Sequence, residues 1–242
     1  GAPAPAPVEL LVPAQDLPKS ELAGSWTVMG YEEGAGGAAT GQFGHSMVKL
    51  KFNDAGDFVS GAECAGQTCE TWPAEDALTV KKNDDGTFSL VDQYGTATMV
   101  LFKNAKGQTA MFVNSDSGRM LGAKEQAETL PVVGAVTNSW DVTLDPMGGS
   151  SPFSSNTATI ATVDAAAMSY TRTARMSGGS VQPDDAWKLN VPSSGLRYRT
   201  PATGVSEITS LSIRGAGLAA GHLTQGNGAK TFLLSTSKVV AQ

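Results

Sequence analysis

Apolar and polar residues alternate with a period of two along most of this chain, as in Met47-Val48-Lys49-Leu50-Lys51-Phe52 and Thr87-Phe88-Ser89-Leu90. That period places successive side chains on opposite faces of a strand. Clusters such as Asn53-Asp54-Ala55-Gly56, Asp84-Asp85-Gly86, Asn104-Ala105-Lys106-Gly107 and Asn114-Ser115-Asp116-Ser117-Gly118 separate the runs, and these residue types take tight turns. The pattern predicts up-and-down hairpins, which remove their exposed edges by closing into a barrel. No stretch keeps a helical period beyond a turn or two. Residues 19–22 can hold one helical turn, and Ala165-Ala166-Ala167-Met168, despite its helix propensity, stands where a hairpin turn is due.

The second half matches the first strand for strand. Gly24-Ser25-Trp26-Thr27-Val28 returns as Asn138-Ser139-Trp140-Asp141-Val142, residues 48–60 as 157–171, 78–94 as 187–203, and 98–126 as 209–239. The offsets drift from 114 at Trp26 and Trp140, through 110 at Asp54 and Asp164, to 109 at Gly86 and Gly195, which suits duplication with small loop changes. Alternation is common to all β-proteins, so independent β-domains also fit. The expectation is an all-β chain of two tandem, internally repeated antiparallel β-barrels of about 100 residues each. Residues 1–20 form a Pro/Ala-rich tether or arm, 21–126 the first barrel, 127–137 the join and 138–242 the second barrel.

Composition narrows the class. The chain has 242 residues, 28 of them Gly, and only 17% are charged, the profile of many exported β-proteins. Its apolar runs are strand-sized and none reaches the ~18 residues of a membrane-spanning helix. The opening Gly1-Ala2-Pro3-Ala4-Pro5-Ala6-Pro7 favours extended polyproline backbone and reads as a tether. It fits an exported, periplasmic or outer-membrane surface lipoprotein that touches a membrane only through an N-terminal lipid anchor; a plain disordered linker is the alternative. Cys64 and Cys69 enclose four residues, a spacing that suits a loop-stapling disulfide and neither Cys-x-x-Cys redox chemistry nor zinc. Reduced buried thiols remain the other reading.

Residues 1–130 carry 9 basic and 17 acidic side chains and residues 131–242 carry 8 and 6, for net charges of −8 and +2. Neither value provides the basic face that nucleic acid requires. Every Arg except Arg119 lies in the second half, and Arg197 and Arg199 share one strand face opposite Leu196, Tyr198 and Thr200. That face is either solvated or a site for an anionic ligand, since guanidinium forks suit carboxylates and sulfates.

Catalytic constellations are not evident. His45 and Ser46 are sequence neighbours and point to opposite strand faces, so the histidine cannot activate that serine. His222 matches Phe112 of the first half, a core or wall position. The adjacent carboxylates Glu32-Glu33, Glu75-Asp76, Asp84-Asp85 and Asp184-Asp185 read as solvated turns rather than as acid–base pairs converging across a cleft. The oxygen-rich loops at Asn53 and Asn114 lack the distal Glu of a calcium loop. No enzyme activity, metal or cofactor is expected.

Leu22-Ala23-Gly24-Ser25-Trp26, followed by Leu50-Lys51-Phe52-Asn53-Asp54-Ala55-Gly56, resembles the opening of bacterial lipocalin-like domains of the calycin superfamily. The resemblance implies that Trp26 and Trp140 pack under the core at a barrel's closed end. The same stretch is similar to barrel-type inhibitors of bacterial metalloproteases, which project an N-terminal arm; residues 8–20 take that place here. Asn138 stands where the motif has Gly, and the cysteine spacing departs from the inhibitors.

The expected function is therefore non-enzymatic binding of a small ligand or of a host or bacterial protein. Tyr31, Phe43, Trp72, Tyr170, Arg197 and Arg199 are the candidate ligand residues. The alternative is an inhibitor or adhesin with filled barrels, acting through the arm and the Gly/Ser-rich loops 34–44 and 147–156.

Overall fold

The structure is a computed structural model and describes residues 15–65, 68–144, 153–203, 205–213, 215–225, 228 and 230–240. A 3-10 turn at Lys19–Leu22, where the sequence predicts one, leads into β1 (Gly24–Glu33). There follow β2 (Phe43–Phe52), β3 (Phe58–Ala65), β4 (Thr68–Thr71), β5 (Thr79–Lys82), β6 (Phe88–Val91), β7 (Thr96–Lys103), β8 (Thr109–Asn114) and β9 (Gly118–Lys124). These nine strands form one antiparallel sheet in the order β4-β3-β2-β1-β9-β8-β7-β6-β5. The predicted turns fall between them, and at the first one Asn53 Oδ1 accepts the amide N–H of Ala55 and Asp57 while Gly56 takes the φ of +82° that the turn needs.

The first half is thus an open half-barrel, which corrects the expectation of a closed one. Its edges β4 and β5 do not pair with each other. Pro73 lacks an N–H, and a 3-10 turn at Ala74–Asp76 redirects the chain before β5. The Cys64–Cys69 disulfide joins directly opposed residues of β3 and β4, with Cα atoms 4.0 Å apart. Because it closes a short loop, Cys64→Ser/Cys69→Ser is expected to lower stability by only about 2–3 kcal/mol. Urea unfolding checks this; loss of folding altogether would show that the bond organises the whole edge.

The inner face of this sheet is filled. Trp26, Val28, Phe52, Phe88, Met99 and Leu101 form its buried core, and Trp26 Nε1 donates to the Leu22 carbonyl at 2.6 Å. Trp72 lies over Gly61 so closely that a Cβ there would meet the indole at 2.2 Å. Residues 15–22 are fastened to the same sheet: the Gln15 amide bonds both backbone groups of Lys103, and Asp16, Lys19 and Glu21 pair with Lys82, Asp57 and Lys103. The remainder of the proposed arm and tether lies outside the described residues.

The second half is a closed antiparallel barrel of eight strands: β10 (Val136–Leu144), β11 (Phe153–Asp164), β12 (Ser169–Met176), β13 (Asp185–Leu189), β14 (Leu196–Arg199), β15 (Glu207–Ile213), β16 (Leu218–Thr224) and β17 (Lys230–Val240). Residues 165–168 form the turn between β11 and β12, as the sequence predicts. The barrel closes where β10 pairs with β17 from Val136 with Val240 to Leu144 with Phe232.

Trp140 does not do here what Trp26 does in the first half. It is 41% exposed, because Thr137, Ser139, Asp141 and Thr143 of β10 are the ones that face inward. A shift of one residue moves every side chain to the other face, so the matched Ser-Trp pairs share sequence but not orientation.

The two sheets pack back to back. Met29, Met47, Phe102, Ala110 and Leu121 of the half-barrel meet Leu196, Leu211, Ile213, Ala220 and Phe232 of the closed barrel in one buried cluster.

Candidate functional site

The closed barrel encloses a cavity of about 710 Å³, whereas the half-barrel interior is packed. Alternation in β12, β13 and β14 builds its charged wall. Tyr170 and Arg172 point inward from β12, Asp185, Trp187 and Leu189 from β13, and Arg197 and Arg199 from β14. Register then sets neighbours: Arg172 opposes Asp185, Tyr170 opposes Trp187, Trp187 opposes Arg199, and Leu189 opposes Arg197.

Asp185 is buried and accepts from Nε and Nη2 of Arg172 at 2.9–3.1 Å and from Nη1 of Arg199 at 3.3 Å. Arg199 Nε donates to the Ser206 carbonyl at 2.9 Å. Both guanidiniums lie over the Trp187 indole, at 4.8 and 5.7 Å from its centroid, and Tyr170 stacks on the same ring. Burial pulls the Arg199 guanidinium below its ordinary range, with Asp185 opposing. Burial likewise pushes the Tyr170 hydroxyl up, and Arg197 and Arg172 offset part of that shift.

A second pair closes the end of the barrel where β10 begins. The join between the sheets runs across that end, and Thr129, Pro131, Val132 and Ala135 line the cavity from it. Asn190 holds this segment in place, its Oδ1 accepting from Glu128 N at 2.7 Å and its Nδ2 donating to Glu128 O at 3.1 Å. The buried Glu128 carboxylate takes Arg197 Nη2 at 2.8 Å. Desolvation works against the Arg197 charge, but Glu128 and Tyr170 outweigh it and hold the guanidinium above its usual range. The rest of the lining is mostly hydroxylic or aliphatic, including Ser139, Ser210, Ser235, Ala158 and Ile160, together with Asp141, Asn156 and Gln182.

Of the six candidate ligand residues, Tyr170, Arg197 and Arg199 line this cavity. The arginine face is therefore turned into the barrel rather than out from it. Tyr31 and Phe43 instead meet edge to face at the seam between the sheets, 5.7 Å apart, with Phe232 beside Tyr31. Trp72 packs on Phe58 in the filled half-barrel. Asp185 is no solvated turn residue as the sequence suggested, because two guanidiniums balance its burial. Arg172, Trp187 and Glu128 escaped the sequence reading as well. Their signal was present in the alternation Asp185-x-Trp187-x-Leu189 and Tyr170-x-Arg172-x-Ala174, where a charge recurs on an otherwise apolar face.

The two histidines come together across the seam, 186 and 192 residues from the groups they bond. Their rings stack at 4.2 Å and 3°. His45 Nε2 faces the Thr231 carbonyl at 2.8 Å and His222 Nε2 the Gly30 carbonyl at 2.6 Å, so each half reaches for backbone of the other. Burial lowers both imidazoles, with Lys230 pushing the same way, and the His45 ring adds to the lowering of His222, which falls to about 3. Among the described residues no cluster of His, Cys, Asp and Glu is arranged to hold a metal.

No family model and no curated protein matches the chain. Among solved structures it is similar to a DUF3598-family protein of unknown function from Nostoc punctiforme, at 12% identity, with 92% of this chain and 99% of the other covered and a TM-score of 0.35. A likeness at that level carries no argument about function.

Proposed function

We propose that this chain is a non-enzymatic binding protein that holds a small molecule inside its closed barrel, with the half-barrel as a filled scaffold. The observation that carries the reading is the 710 Å³ interior, which falls within the ~300–1,000 Å³ range of small-molecule sites. Its lining supports the reading too, since fixed charges and an indole stand among small side chains. We read the halves as duplicated calycin-like barrels: leaving β4 aside, each has the same succession of antiparallel strands and pairs its first strand with its last. An oxidising compartment, and so export, fits the Cys64–Cys69 bond. Fastening of residues 15–22 to the sheet favours this reading over an inhibitor with a free arm.

Two fluorophores that differ by one sulfonate test it: N-phenyl-1-naphthylamine and 1-anilinonaphthalene-8-sulfonate. At least one is expected to bind saturably with one site per chain. Ala158→Phe, which extends a ring into the empty space, is expected to weaken that binding by tenfold or more while leaving the far-ultraviolet spectrum unchanged. Failure of both probes to saturate would overturn the reading.

A further inference from the structure

We infer that the cavity selects organic anions and that the Arg172–Asp185–Arg199 cluster is their headgroup site. The inference rests on the cavity being a binding site, and goes on to name the ligand class.

Charge gives the first argument. Three guanidiniums, Arg172, Arg197 and Arg199, face two buried carboxylates, Asp185 and Glu128, along the β12–β14 wall. Glu128 is engaged by Arg197, so the Asp185 cluster retains one excess positive charge. Asp141 also faces the cavity, from β10, and its charge balances the site as a whole, so the positive excess is local to the β12–β14 wall. Its effect on Arg199 is the weakest of those acting there.

Donor counting gives the second. Arg172 and Arg199 bring roughly ten N–H groups between them. Four contacts to Asp185 and one to the Ser206 carbonyl use up at most half. Both arginine side chains line the cavity, where an acceptor can meet them. A buried donor without an acceptor is costly, and a carboxylate, sulfate or sulfonate supplies two or three acceptor oxygens to a fork of this kind.

The body of the ligand follows from what surrounds the headgroup. The Trp187 ring has both guanidiniums and Tyr170 against it, and Ala158, Ile160, Ile208, Leu223 and Leu233 are among the apolar residues of the remaining wall. An aromatic or aliphatic body with a single oxyanion is the matching chemistry. A cation is repelled by the local excess at this cluster, and a neutral apolar molecule leaves the N–H groups without acceptors.

The two fluorophores separate the possibilities, because one is the other plus a sulfonate. The sulfonate is expected to bind wild-type protein at least tenfold more tightly than the amine, with an affinity that falls as salt rises. Arg199→Gln removes the excess charge and leaves Asp185 its fork from Arg172. It is expected to weaken the sulfonate about ten- to hundredfold and the amine by less than twofold. Dodecanoate, competing with the sulfonate, should show the same dependence on Arg199. If the amine binds as well as the sulfonate, or if Arg199→Gln weakens both alike, the anion assignment is overturned while the cavity reading stands. If neither probe binds, both fall.

Discussion

Asp185→Asn is expected to cost about 3–5 kcal/mol of folding stability, since it leaves two largely but not fully buried guanidiniums without their common, buried counter-charge. Asp185 is 5% exposed, and the Arg172 and Arg199 side chains are 21% and 15% exposed, so solvent screens the cluster little. For a chain of this size the melting temperature should fall by roughly 6–20 °C. Arg199→Gln, by contrast, still leaves one carboxylate facing one guanidinium and should cost far less. Calorimetry of both variants checks the pair. A loss below about 1 kcal/mol for Asp185→Asn would mean that water inside the barrel already solvates the arginines.

Acid is expected to loosen the seam between the sheets before it disturbs either barrel. The folded chain keeps His45 and His222 neutral, with the His222 value near 3, whereas an unfolded histidine titrates near 6.5. Between those values the unfolded chain binds the extra proton, so stability is complete above pH 6.5 and declines as the pH falls toward 3. Each buried imidazole contributes up to about 1.4 kcal/mol per pH unit to that slope. Protonation would place two cations in stacked rings beside Lys230, with carbonyl oxygens as their hydrogen-bond partners. His222→Gln keeps a donor for Gly30 O but does not titrate. Its stability should therefore depend less steeply on pH between 6.5 and 5 than that of the wild type, as urea unfolding across that range can measure. Parallel slopes would falsify the assignment.

Strands were legible because alternation is local: the hairpin turns at Asn53, Asp84, Asn104 and Gly195 fall where the sequence puts them. What was not legible depends on a choice of face, which alternation leaves open. Trp140 and Arg199 illustrate it, the first expected inside and found exposed, the second assigned to a face that could have been solvent and found lining a cavity. Openness of the first sheet turned on Pro73 and a short β4, features of one connection rather than of the periodic pattern. The histidine pair was invisible for another reason. Its partners lie in opposite halves, and only the packing of one sheet on the other brings them together.

The seam between β10 and β17 also sets the order in which this chain can become a container. Val136 finds its partner only at Val240, and until Lys230–Val240 has been made and has folded back, the second sheet is an open ribbon with its arginines in water. Contacts between such distant residues form late, because the intervening loop must first be closed at an entropic cost. The half-barrel has its own closing pair, β1 with β9, well over a hundred residues earlier. During synthesis it can therefore stand complete while the other half is still being made, and offer its outer face as the template on which the ribbon curls shut.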